Sequence, residues 1–150
     1  MRAVVSYILT ALILSSAAMA HEGSSGIVLE RMELMKVMER EMKAIGGMLL
    51  SEQSIDPASL QPHVKALHEA CHTIGNKFPP GSDGSHSHAL PAVWERPAEF
   101  QRLMKQLHEA SELLLETSWS STDRQKLMSA TKGVGSVCQS CHEQFKKPGG

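Results

Sequence analysis

The chain has 150 residues, 16 acidic against 15 basic, and a formal charge of −1. That length suits one domain, and the near balance of charge argues against nucleic acid as a partner. Three cysteines are an odd number for a disulfide framework. Aromatic residues are only 4% of the chain, and β-branched residues do not alternate with polar ones, so no strand is predicted.

Residues 1–20 do not read as part of the fold. Met1-Arg2 is a short positive start, Ala3 to Ser16 is nearly all apolar, and Ala18-Met19-Ala20 is a small-x-small pattern. This is the signature of a secretory signal peptide cut after Ala20. The competing reading, an N-terminal membrane anchor, fits less well because the apolar run is short for a bilayer and a cleavage pattern follows at once. No later segment is apolar enough to span a membrane. The expectation is a cleaved leader (residues 1–20), a single domain (residues 21–150), and a periplasmic location in a Gram-negative host.

Four helices are predicted in the remainder. The first runs from about Gly26 to Leu50, where Val28, Met35, Met38, Met42, Ile45 and Leu49 recur at helical steps. The second lies within Asp56 to Asn76, opened by the Asp56-Pro57 cap, and Pro62 could set a short turn before its main body. A loop rich in Pro and Gly follows from Lys77 to Ala89, then a short turn around Leu90 to Trp94. The third helix starts at Pro97 and runs to about Thr117. The fourth starts near Ser121 or Thr122 and ends around Lys147, before Pro148-Gly149-Gly150. Four amphipathic helices with mostly short connections predict an all-α fold, an antiparallel four-helix bundle.

The chemistry lies in the fourth helix. Cys138-Gln139-Ser140-Cys141-His142 is the C-x-x-C-H signature for attachment of c-type haem. Each thiol would add to one vinyl group, and the next residue, His142, would then lie beneath the iron as its proximal ligand. A thioredoxin-like site would need a strand–helix context that is absent, and a zinc site would need a second ligand pair, for which Cys71-His72 could be offered. Export, helical context and the following histidine favour one covalent haem c per chain, held by Cys138 and Cys141.

With these residues in place, the mature chain resembles the class II cytochromes c, which include cytochrome c′ and the low-spin c-556 type. Cytochrome c′ is itself a known four-helix bundle. The resemblance rests on the motif lying near the C-terminus, Val134 to Lys146, and on Phe78-Pro79-Pro80-Gly81-Ser82, Ala89-Leu90-Pro91-Ala92-Val93-Trp94 and Pro97-Ala98-Glu99-Phe100 before the third helix. It rests also on Arg31, Met35 and Lys36 in the first helix. It implies that Arg31 is a charge partner of a haem propionate and that residue 35 faces the distal side of the iron. Low-spin members carry a ligating methionine there; cytochrome c′ proper has an apolar non-ligand. The thioether of Met35 is a suitable soft ligand, with Met38 and Met42 as substitutes and core filling as the plainer role for all three. Phe145-Lys146 departs from the expected Tyr-Arg and lacks its hydroxyl.

The resemblance implies an electron carrier rather than an enzyme, or else a five-coordinate cytochrome binding nitric oxide or carbon monoxide. Redox protein partners are unspecified, and relatives imply that a homodimer could form through the first two helices. His68, Cys71 and His72 share one helix face and could bind a metal, although a buried cysteine with polar neighbours is the simpler account. His86 and His88 fall in the loop and are expected in solvent. His63 and His108 suggest nothing specific.

Overall fold

The computed structural model describes residues 17–84 and 86–149, with side chains from residue 26 onward. Residues 1–16, which hold most of the proposed leader, lie outside the described residues. Helices α1 (Ala17–Leu50), α2 (Pro57–Ile74), α4 (Pro97–Ser120) and α5 (Arg124–Phe145) form the bundle, and α3 (Ala92–Glu95) is a single turn on the long connection. Each long helix packs against the next, and α1 closes against α5. Among the described residues there is one isolated β-bridge, Ala89 to Lys146.

The local chemistry explains the boundaries. Asp56 caps α2 by accepting from Ala58 N at 3.1 Å, with Pro57 at the first helical position. Pro62 does not divide that helix. Its missing N–H deprives only the carbonyl of exposed Ala58, which water can reach, so α2 runs on to Ile74 and tightens into a 3-10 turn at Gly75–Lys77. Asp123 is the cap of α5 itself, accepting from Gln125 N at 2.8 Å and Lys126 N at 3.2 Å. Helix α1 starts earlier than Gly26, because Gly-Ser-Ser-Gly at 23–26 costs at most about 1 kcal/mol per residue and no proline interrupts it. Helix α5 stops at Phe145, short of Lys147, because the backbone turns extended to bond the loop. Leu90 N donates to Phe145 O and Lys147 N to His88 O, both at 2.8 Å.

The core divides along the bundle axis. Ile45, Leu49, Leu60, Val64, Leu114 and Leu127 are fully buried where α1 and α4 end and α2 and α5 begin. Arg124 fastens that end, donating to Gln53 O just beyond α1 and to Leu49 O and, at 3.2 Å, Met48 O, two carbonyls in its last turn. Those carbonyls have no partner within the helix. The opposite end holds a cavity.

Candidate haem site

The middle of α1, residues 28–42, and the C-terminal half of α5 flank a cavity of about 650 Å³. That volume is ordinary for a cofactor site, which spans about 300–1,000 Å³. Met32, Met35, Met38 and Met42 line one wall, and Cys138, Cys141 and His142 line the other. All five sequence-predicted groups, Cys138, Cys141, His142, Met35 and Arg31, thus meet one cavity. Val28, Val93, Phe78, Phe100 and Phe145 complete its apolar lining.

The helical geometry of α5 accounts for the motif's spacing. Residues 138, 141 and 142 are three and four apart, so they share one helix face. Both cysteines are free thiols. Burial pushes Cys138 above the usual thiol value and Cys141 up to about 11, with the neighbouring Cys138 adding to the second shift. Partial burial first, then the charge of Lys146, holds His142 below the ordinary imidazole value. Its neutral, metal-ligating form is thereby favoured. Gly135 lines the same wall, where an added Cβ would lie 3.7 Å from the terminal methyl of Met42.

The chain has three phenylalanines and all three line this cavity. Phe78 meets Phe100 edge-on with centroids 4.7 Å apart, and Phe100 meets Phe145 edge-on at 5.4 Å. An arginine covers each end of the row. The guanidinium of Arg31 lies 4.1 Å from the Phe78 centroid, and that of Arg96 lies 4.9 Å from Phe145. None of the three rings was singled out from sequence as a site residue. The signal available was their scarcity, together with Phe78 preceding two prolines and Phe100 in the first turn after Pro97.

Arg31 is not the solvated helix-face residue that composition alone would suggest; it is 5% exposed. It donates to Lys77 O at 2.9 and 3.0 Å, to Ser87 Oγ at 2.9 Å, and to Ser82 O at 3.1 Å and Ser82 Oγ at 2.7 Å. One side chain of α1 therefore gathers three points of the connecting loop. The acceptors are all neutral, and burial lowers the guanidinium's pKa. His88 also lines the cavity mouth and is exposed there, and His86 lies in solvent.

Comparison with known proteins decides what this cavity is for. The model of the family described as Cytochrome C' matches residues 26–146. The chain belongs to the cytochrome c′ family. Cytochrome c-554 of Cereibacter sphaeroides is 30% identical over 118 residues, 76% of either chain. Cytochrome c′ of Rhodopseudomonas palustris is 30% identical over 121 residues, 80% of this chain and 81% of that one. The solved cytochrome c′ of Shewanella frigidimarina superposes with a TM-score of 0.77 at 21% identity, over 83% of this chain and 96% of the other. The protein is a c-type cytochrome with covalently attached haem c. Its cavity fits that group: two thiols and an imidazole on one helix face, opposite thioethers, in an apolar volume walled by aromatic rings.

Among the described residues, no helix is long and apolar enough to cross a membrane. The second-helix patch follows the simpler account, a buried cysteine with polar neighbours. Cys71 turns inward and donates to Met38 Sδ at 3.6 Å, and burial pushes its thiol up to about 12. His108 of α4 takes its place beside His68 and His72, at ring-centroid distances of 5.3 and 4.9 Å.

Proposed function

We propose that the protein is an exported one-electron carrier whose haem c is held by Cys138 and Cys141, with His142 and Met35 as iron ligands. When bound, the haem supplies an iron that cycles between ferrous and ferric states. The observation that carries the reading is that Met35 of α1 and His142 of α5 line the same cavity. Met38 is a poorer candidate, since its sulfur already accepts from Cys71. Met42 is a poorer one too, since its methyl lies close to Gly135.

The chain's own work is to position and insulate. Cys138 and Cys141 tether the group on two successive turns, and His142 presents a neutral nitrogen. The phenylalanine row excludes water on one side and the methionines on the other, which keeps the site apolar and lowers the cost of a change in oxidation state. The buried guanidinium of Arg31 has only neutral acceptors, an arrangement that favours an anion nearby because an uncompensated buried charge is costly. A haem propionate is the anion this reading places there. Met35 as the sixth ligand would leave no open iron position for a substrate, so this reading is of an electron carrier rather than a peroxidase, although Lys36 and Glu39 also line the cavity. Periplasmic location follows from the leader of residues 1–20. Pairing of two copies through α1 and α2 belongs to the same reading and is checked by sedimentation.

The second reading is a five-coordinate iron that binds nitric oxide or carbon monoxide. It is favoured by a wall of flexible thioethers that can move aside. Optical spectra of the oxidised and reduced holoprotein, with and without carbon monoxide, separate the two. Low-spin spectra with a sulfur-to-iron charge-transfer band, lost in Met35→Leu, are expected. A high-spin spectrum that shifts readily with carbon monoxide would transfer the function to gas binding. His142→Ala is expected to abolish the histidine-ligated spectrum.

A further inference from the structure

The surface between α2 and α4 carries a second cluster of metal-ligating groups, composed of two i,i+4 pairs on facing helices. Helix α2 contributes His68 and His72, and α4 contributes His108 and Glu112. The Nδ1 atoms of His72 and His108 are 3.4 Å apart. Two nitrogens bound at about 2.0–2.1 Å to one tetrahedral zinc ion stand about 3.3–3.4 Å apart. We propose that His72, His108 and His68 bind a divalent transition-metal ion of the zinc type.

A hydrogen bond sets the ring tautomer of His68. Ser111 Oγ donates to His108 O at 2.8 Å, so it accepts from His68 Nδ1 at 3.1 Å. That leaves the Nε2 of His68 with its lone pair free. Glu112 Oε2 lies 3.9 Å from His108 Nε2. At that separation the two make no hydrogen bond; a change of Glu112 rotamer would bring its carboxylate onto Nε2 and leave Nδ1 open toward His72, the outer carboxylate–histidine arrangement found behind metal-ligating imidazoles. His72 is exposed and His68 and His108 are half-exposed, so an ion can enter from solvent. Cys71 lies between the two α2 histidines in sequence but points into the core, so the donor set is imidazole rather than thiolate.

As placed, no group of three His, Cys, Asp or Glu side chains among the described residues is disposed to hold a metal ion, so a side chain must move for the site to form. The His72 and His108 nitrogens already stand at the ligand–ligand distance. His68 is the group that must turn, its ring centroid lying 5.3 Å from His108 but 6.4 Å from His72. The competing account of the 3.4 Å contact is an imidazole–imidazole hydrogen bond, in which a proton sits where the ion would.

The test is calorimetric titration of the purified holocytochrome with zinc chloride at neutral pH. One ion per chain is expected, at micromolar affinity. His72→Gln and His108→Gln are each expected to weaken binding at least about tenfold, and Glu112→Gln by about tenfold through the lost outer partner. His68→Gln is expected to weaken it several-fold, and His86→Gln, in the loop, to leave it unchanged. Zinc should also raise the thermal midpoint of the parent protein but not of His108→Gln, because the ion staples α2 to α4. Unchanged haem and far-ultraviolet spectra establish that each variant is folded. Absence of binding, retention of parental affinity in both His72→Gln and His108→Gln, or loss of binding in His86→Gln would overturn the proposal.

Discussion

Arg31 and Arg124 perform related tasks at opposite ends of the bundle, and the ends differ in nearly every other respect. Arg124 closes the tight end by bonding the last carbonyls of α1. Around it Ile45, Leu114 and Leu127 are wholly buried, all aliphatic groups with few rotamers. Arg31 fastens a loop across the open end, where the walls are methionine, phenylalanine and cysteine. The difference teaches how a regular bundle makes room for a flat cofactor. One end carries the stability, so the other can be held apart by a strapped loop and filled with soft, adaptable side chains.

That contrast can be broken or sharpened by substitution, and the largest stability effect belongs to the tight end. Leu114→Ala is expected to cost about 2–5 kcal/mol in chemical denaturation, with the haem spectrum unchanged. A loss under about 1 kcal/mol would mean that the two ends do not divide the work. Arg31→Gln is expected to cost on the order of 1.5–3 kcal/mol, because the charged donor for Lys77, Ser82 and Ser87 is lost. Amide exchange around residues 77–88 should rise with it. Exchange that stays slow there would show that the loop holds without its strap.

The next expected effect is pH-dependent and again belongs to the tight half. Glu41 is buried between α1 and α2, accepting from His63 at 2.6 Å and paired with Arg40 at 2.6 Å. Burial by itself would raise its pKa; the bonds from His63 and Arg40 outweigh that and leave it below the ordinary value of 4.5. A carboxylate lowered on folding stabilises the protein above its unfolded pKa, and the benefit is lost as pH falls through the folded value. Stability should therefore decline below about pH 4.5, and Glu41→Gln should flatten that decline. An acid limb of the same slope in the variant would assign the decline to other carboxylates. The smallest effect on stability is expected from Met35→Leu at the open end, under about 1.5 kcal/mol, since volume is nearly conserved. The same change is expected to alter the optical spectrum most among these four. A stability loss as large as that of Leu114→Ala would make Met35 a core residue first.

Much of this was legible in the sequence because it is local. The C-x-x-C-H spacing, the helical stripes and the Asp56-Pro57 cap each lie within a few residues, and all four predicted helices are found, with ends that shift by a few residues and a start of α1 that lies well before Gly26. What the sequence did not display is non-local. Arg31 reaches residues 46 to 56 positions away, and nothing in its own helix marks it as the loop's anchor. His68 and His72 announce themselves at i,i+4, whereas His108 joins them from another helix. Cys71, on the same face by spacing, belongs to the core because the face is split between solvent and the Met38 sulfur. The end of α5 at Phe145 is likewise set by the backbone of residues 88–90.

The four-methionine wall also carries a chemical vulnerability. Each thioether can take up one oxygen atom, and the resulting sulfoxide is polar, chiral and enzymatically reversible. Before haem fills the cavity, Met32, Met35 and Met42 are half-exposed while Met38 is buried, so an oxidant meets the first three before the last. In an oxidising compartment the apolar wall of the haem-free chain would be converted from its open side inward, and attachment of the haem would close that route.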